Sequence, residues 1–120
     1  MLVVDDEADL VASYERLLRR QGYRVIAKDS RRDGLAVIER ETLVLVISDL
    51  RLPDGDGLDV VRAARRAPTP IPAIVVTGFG TAASRQAALA AGAVAYLAKP
   101  FAAADFTAVV QQAVGRSVSS

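Results

Sequence analysis

Asp49 closes an apolar run, Leu43-Val44-Leu45-Val46-Ile47-Ser48, and a carboxylate at the end of a buried strand needs a chemical reason to be there. Two other stretches supply one. An acidic triplet, Asp5-Asp6-Glu7, follows Met1-Leu2-Val3-Val4, and a lone Lys99 follows Ala93-Val94-Ala95-Tyr96-Leu97-Ala98. Strand ends would then deliver several carboxylates and an ammonium to one edge of a sheet. Carboxylates within a few ångströms raise each other's pKa, a cost that a divalent cation removes by bridging them. Magnesium fits best, because it takes a few protein oxygens, keeps several waters and binds phosphate oxygens. A carboxylate beside it can attack a phosphoryl group in line, with an ammonium offsetting charge on the transferring oxygens and a hydroxyl bonding another. In that chemistry Asp49 is the nucleophile, Lys99 the ammonium and Thr77 the hydroxyl.

Composition narrows the alternatives. The absence of Cys and His excludes a thiol nucleophile, a disulfide scaffold, a Ser-His-Asp triad and a soft zinc site, which leaves carboxylate, hydroxyl and lysine chemistry with a hard cation. At 120 residues, 52% of them hydrophobic, the chain suits one compact domain with a full core. Its formal charge of +1 comes from 15 basic and 14 acidic side chains spread along it, so no basic stripe points to direct nucleic-acid binding and no acidic tail to a disordered arm. No run reaches transmembrane length and no charged segment precedes an apolar one at the start. A soluble, cytoplasmic chain with no membrane partner is expected.

The elements that must position these residues alternate. Leu2 to Val4 reads as a strand and Ala8 to Arg20 as a helix, with Leu10, Val11, Tyr14, Leu17 and Leu18 at helical spacing before Gly22. Arg24 to Ala27 is predicted as a strand, Arg31 to Arg40 as a helix, and Leu43 to Ser48 as a strand. The turn signal Pro53-Asp54-Gly55-Asp56-Gly57 then leads to a helix over Leu58 to Arg66. Ala73 to Val76 is the fourth strand, Thr81 to Ala91 an Ala-rich helix, Val94 to Ala98 the fifth strand. The last helix runs from about Ala103 to Val114, with Ala103, Phe106, Val110 and Ala113 facing inward. Nearly continuous apolar strands separated by helices imply a parallel sheet covered on both faces, a doubly wound α/β fold of five strands and five helices. In such sheets ligands bind beyond the carboxyl ends of the strands, where Asp5, Asp6, Asp49, Thr77 and Lys99 all fall.

The chain resembles the receiver domain of two-component response regulators, of the chemotaxis-receiver type. The motifs that carry the resemblance are Val3-Val4-Asp5-Asp6-Glu7, Ser48-Asp49-Leu50-Arg51-Leu52-Pro53, Val76-Thr77-Gly78 and Tyr96-Leu97-Ala98-Lys99-Pro100-Phe101, in this order over essentially the whole length. The resemblance implies a flavodoxin-like strand order 2-1-3-4-5, a receiver domain over residues 1–116, and a tail or the start of a linker over 117–120. It implies that Asp49 accepts phosphate from a sensor histidine kinase or a histidine phosphotransfer protein, and that the chain catalyses only its own phosphorylation and dephosphorylation. Asp6, Asp49 and the main-chain carbonyl of Arg51 would hold Mg2+ directly, Asp5 through water. A cis peptide between Lys99 and Pro100 is implied as well. Phosphorylation would draw in Thr77 and let Tyr96 turn inward, reshaping the face built by the fourth helix, fifth strand and fifth helix so that it controls an output such as transcription.

That face departs from the family pattern. Many receivers that dimerise through it carry acidic residues where this chain has Val94-Ala95, which argues against a salt-bridged dimer. Ala87, Ala88, Ala91, Ala98, Ala102, Ala108 and Val109 instead predict a small apolar surface, used by a hydrophobic partner, an output domain or a homodimer. The stretches Val76-Thr77-Gly78-Phe79-Gly80-Thr81 and Tyr96 to Phe101 are similar to receivers joined to sigma-54-type transcription activators, and to single-domain receivers too. Met1 stands only four residues before Asp5, so a short first strand and a fraying sheet edge are expected.

Each residue also has a plainer reading. An Asp after a strand is most often a cap or turn former, Thr77 before Gly78 a turn residue, Tyr96 a half-buried core aromatic, and Arg62, Arg65 and Arg66 a solvated helix face. Two other functions stay open. A Mg2+-dependent phosphohydrolase with an aspartyl nucleophile usually wants an acid two residues after that nucleophile, where this chain has Arg51. A degenerate receiver acting only as an interaction module would not need the full set of pocket acids present here.

Overall fold

The computed structural model of the chain describes residues 1–78 and 80–119, the last four by backbone alone. Phe79 of the loop motif and Ser120 of the expected tail lie outside the described residues. Strand β1 (Leu2–Val4) pairs in parallel with β2 (Ile26–Lys28) on one side and β3 (Val46–Asp49) on the other. Beyond β3 come β6 (Ala73–Thr77) and β7 (Ala95–Ala98), both parallel. A separate antiparallel hairpin, β4 (Arg51–Leu52) with β5 (Gly55–Asp56), interrupts the numbering, so the sheet order β2-β1-β3-β6-β7 is the predicted 2-1-3-4-5.

Among the described residues, five helices cover the sheet: α1 (Ala8–Arg20), α2 (Arg31–Arg40), α3 (Leu58–Arg66), α4 (Ala82–Ala91) and α5 (Ala103–Ser119). Side chains alternate across the strands, and both sides are apolar. Leu2, Val4, Val46, Ala73 and Val75 pack with Val37, Val60, Val61 and Ala88 from α2, α3 and α4. Val3, Ile47, Ile74 and Val76 pack with Tyr14 and Leu18 of α1 and Phe106 and Val110 of α5. Fully burying each large aliphatic side chain contributes about 1.5–3 kcal/mol, and two such layers allow the strand ends to hold charge. A sheet buried on both faces is therefore what the unbroken apolar strands dictate.

Several boundaries move, for physical reasons. β2 starts at Ile26 rather than Arg24, because its ladder partner on β1 is Leu2. β3 starts at Val46 rather than Leu43, again because Leu2 pairs with Val46. Val44, without a strand beside it, is 46% exposed. The turn signal at Pro53 is borne out, since Pro53 and Asp54 turn the chain between β4 and β5. Thr81 caps α4 from outside, its hydroxyl accepting the Ser84 N–H at 3.0 Å. α5 continues through Gly115 to Ser119, past the expected end near Val114, and Ala103 is exposed at its first turn rather than part of the inward stripe.

Candidate functional site

Register brings the predicted residues to one edge. Val4 is level with Ser48, so Asp5 emerges beside Asp49; Asp49 is level with Val76 and Thr77 with Ala98, which sets Thr77 and Lys99 next in line. Asp49 is the last residue of β3, not the one after it, and is 6% exposed; Asp5 is 3% exposed and Thr77 fully buried. Asp6 is exposed.

The ammonium of Lys99 ties this edge together. It donates to Asp5 Oδ2 at 2.9 Å, to Glu7 Oε1 at 2.9 Å and to Asp49 Oδ2 at 3.0 Å. The other oxygen of each buried carboxylate is held by main chain: Asp5 Oδ1 accepts the Glu7 N–H at 3.0 Å, and Asp49 Oδ1 the Arg51 N–H at 3.3 Å. Burial alone would lower the pKa of Lys99, yet its bonds to Asp5, Glu7 and Asp49 outweigh that and raise it well above its ordinary value. Asp5 is shifted upward too, which for an acid disfavours the charged form. Its burial raises the carboxyl above its usual range, and Asp49 adds to this, against the Glu7 N–H and Lys99. One ammonium satisfies three acids unequally, so the buried acid Asp5 still gains from further positive charge.

A cation fits that demand. Asp5, Asp6 and Asp49 each offer a carboxylate oxygen, and these lie within 4.8 Å of one another. Hard oxygens in this number suit magnesium or calcium rather than a thiophilic metal. A groove of about 480 Å³ opens beside Asp5 and Asp6, lined also by Val11, Lys28 and Asp29. The peptide between Lys99 and Pro100 is cis, as expected.

The segment after Asp49 is braced from outside. Asp54, at the hairpin tip, accepts the N–H groups of Arg31 and Arg32 at 2.7 and 2.9 Å, capping α2 across space, and Arg31 Nε reaches Asp59 at 2.8 Å. Those N–H bonds hold the Asp54 carboxyl below its ordinary range. Gly57 returns the chain against the pocket so closely that a Cβ there would collide with the carbonyl oxygen of Asp49, so only glycine fits.

Tyr96 lies on β7, level with Val75, and so shares a sheet face with Thr77 two residues further along β6. Its half-buried ring ends in a hydroxyl 3.0 Å from Ser84 Oγ, which also completes the capping box of α4. On the expected output face, Ala87, Ala98, Ala102 and Ala108 are exposed, whereas Ala88 and Ala91 are buried under α4 and Val109 packs partly against the core. Sequence reasoning missed Glu7 as a partner of Lys99, Asp54 as a cap, and Ser84 beside Tyr96. Asp54 and Gly57 carried only a turn signal, and nothing local in the chain announces a contact across 22 or 23 residues.

The sequence matches the family described as response regulator receiver domain over residues 1–111. It is 36% identical over 118 residues to the acid tolerance regulatory protein ActR of Rhizobium meliloti (strain 1021), covering 98% of this chain and 61% of that protein. It is 34% identical over 107 residues to the photosynthetic apparatus regulatory protein RegA of Rhodobacter capsulatus, covering 89% and 58%. The chain thus spans about three fifths of the length of these curated relatives. Among solved structures, a CheY-like response regulator receiver domain from Methanospirillum hungatei JF-1 superposes with a TM-score of 0.92 at 30% identity, covering 98% of this chain and 94% of that one. The beryllofluoride-activated NtrC4 receiver domain dimer gives 0.90 at 28% identity, covering 97% and 96%.

Proposed function

Since this chain belongs to the response regulator receiver domain family of two-component signalling, we propose that Asp49 is its phosphoacceptor. One Asp49 carboxylate oxygen attacks phosphorus in line, the O–P bond forms as the P–N bond of a phosphohistidine breaks, and the imidazole leaves with a proton. The donor is a sensor histidine kinase or a histidine phosphotransfer protein. Lys99 follows the charge from Asp49 onto a phosphoryl oxygen, and the Thr77 hydroxyl bonds another. Magnesium, held by Asp6, Asp49 and the main-chain carbonyl of Arg51 with Asp5 behind water, would supply the remaining positive charge. The chain acts on no substrate beyond its own phosphoryl group. The Lys99 ammonium bonded at once to Asp5, Glu7 and Asp49 is the observation that carries this reading.

Tyr96 relays the change. If Thr77 moves toward the phosphoryl group, Tyr96 turns into the space it leaves, its bond to Ser84 breaks, and the start of α4 shifts. The affected surface of α4, β7 and α5 then meets an output domain, a target protein or a second copy, in the cytoplasm, with the receiver unit spanning residues 1–116. Among the described residues no helix is long and apolar enough to cross a membrane. Arg51, two residues after Asp49, disfavours a phosphohydrolase. A small phosphodonor with Mg2+ tests the reading. A lasting mass gain supports it, continued donor turnover favours the hydrolase, and no change favours an interaction module.

A further inference from the structure

Helix α2 is capped twice. Ser30, at its N-cap, accepts the Asp33 N–H at 3.2 Å, as such residues commonly do. The N–H groups of Arg31 and Arg32 go instead to the two oxygens of Asp54, at 2.7 and 2.9 Å, although water would serve both donors at so exposed a helix start. What the second cap adds is a tie between segments 22 and 23 residues apart. The contact is close along its length. A Cβ on Gly55 would lie 2.8 Å from Arg31 Cδ, and Arg31 Nε reaches on to Asp59 at 2.8 Å.

The tied segments flank the acid cluster. On one side β2 ends at Lys28, whose carbonyl accepts the Asp5 N–H at 3.0 Å, and α2 begins three residues later. On the other side β3 ends at Asp49, and Arg51 and Leu52 lead to Asp54 at the hairpin tip. The sheet itself fixes Asp5 and Asp49, because the ladder between β1 and β3 runs to Val4 and Ser48. Arg51 lies beyond that ladder, on a strand of two residues that pairs with β5 within the hairpin and not with the sheet. Gly57 N–H bonds the Leu50 carbonyl at 2.8 Å, which closes the base of the hairpin and lets its two legs move as one piece. Asp54 anchors the free end of that piece to α2.

We propose that Asp54 is a positioning residue for Mg2+, holding the Arg51 carbonyl at the spacing from Asp5, Asp6 and Asp49 that a small cation needs. It touches neither the metal nor a metal ligand, and it acts through the hairpin. Mg2+ demands near-octahedral geometry, whereas Ca2+ accepts a loose and irregular shell of oxygens. A slackened hairpin therefore costs Mg2+ more than Ca2+, which makes Asp54 a determinant of which cation the pocket prefers. The inference rests on the reading of the acid cluster as a Mg2+ site.

The test compares the native chain with Asp54→Ala and Ser30→Ala, each titrated calorimetrically with Mg2+ and with Ca2+, and each melted without metal. Ser30→Ala removes the other cap of the same helix, so it reports what weakening α2 does by itself. Asp54→Ala should weaken Mg2+ binding about five-fold, short of the ten-fold or more for a group bonded directly to a ligand. Its Ca2+ binding should fall by less than about two-fold, and Ser30→Ala should melt lower with both affinities unchanged. Equal losses of Mg2+ and Ca2+ in Asp54→Ala would overturn the clamp, since a missing remote charge acts alike on two divalent cations. Native affinities in Asp54→Ala would overturn it too, as would an equal Mg2+ loss in Ser30→Ala. No binding of either cation by the native chain would instead overturn the metal-site reading beneath it.

Discussion

The pocket at the strand ends and the face of α4, β7 and α5 are built from opposite materials. In the pocket, Asp5 and Asp49 are buried, and each of their oxygens is held by Lys99 or by a backbone N–H. On the face, Ala87, Ala98, Ala102 and Ala108 are exposed and make no polar side-chain contact. A buried carboxylate has few acceptable environments, because leaving it unpaired is very costly, whereas alanine costs little inside or outside. The pocket's geometry is thus dictated, and the face's is permissive. We assign the proposed chemistry to the first and the proposed partner contacts to the second.

The largest effect should come from removing the cation of the pocket. Lys99→Met keeps the length of the stem and should slow phosphorylation by a small phosphodonor by roughly 10²–10³-fold, the scale for loss of one preorganised charge. Labelling at the native rate would mean that the pocket's electrostatics are incidental. A smaller change separates the two neighbouring acids: Asp6→Ala should weaken Mg2+ binding about ten-fold more than Asp5→Ala, because Asp6 is proposed to touch the metal and Asp5 to act through water. A magnesium titration that gives equal losses contradicts that ranking.

The face calls for a different lesion. Ala108→Glu is a cleaner probe than a change at Val109, which packs partly against the core. It should weaken dimerisation or partner binding on the order of ten-fold by burying an unpaired carboxylate, while phosphorylation proceeds as before. Unchanged assembly would show that the domain signals through another surface.

The smallest effect concerns acid. The folded pKa of Asp54 lies below its ordinary 3.8, owing to the N–H groups of Arg32 and Arg31, so its contribution is fully present above that value and is lost as pH falls through the lower folded one. Asp54→Ala should therefore lower the melting temperature slightly at neutral pH and converge with the native chain in strong acid. A constant gap down to the lowest pH would remove Asp54 from the account of the α2 cap.

The same asymmetry decides what was legible in the sequence. Asp5, Asp49, Thr77 and Lys99 could be placed on one edge because each follows an apolar strand too short and too buried to leave its end group unexplained. The strand order was legible through the resemblance that these motifs carry. Strand limits were not, since Leu43 and Val44 look like β3 until the register with Leu2 shows that the ladder begins at Val46. Ala88 and Ala91 were misplaced on the output face because an Ala-rich helix such as α4 does not reveal which side is inward. Contacts across space, such as Asp54 to α2 and Ser84 to Tyr96, leave no local periodicity at all.

Locating the phosphoryl group decides whether Asp49 is the acceptor. The native chain is treated with a small phosphodonor and Mg2+, the acyl phosphate is reduced with borohydride, and the modified residue is read by peptide mass spectrometry, with Asp49→Asn alongside. Modification is expected at Asp49 alone and none in Asp49→Asn, whose fold should remain intact because the amide keeps the shape of the carboxylate. Equal modification of the Asn variant would contradict that assignment.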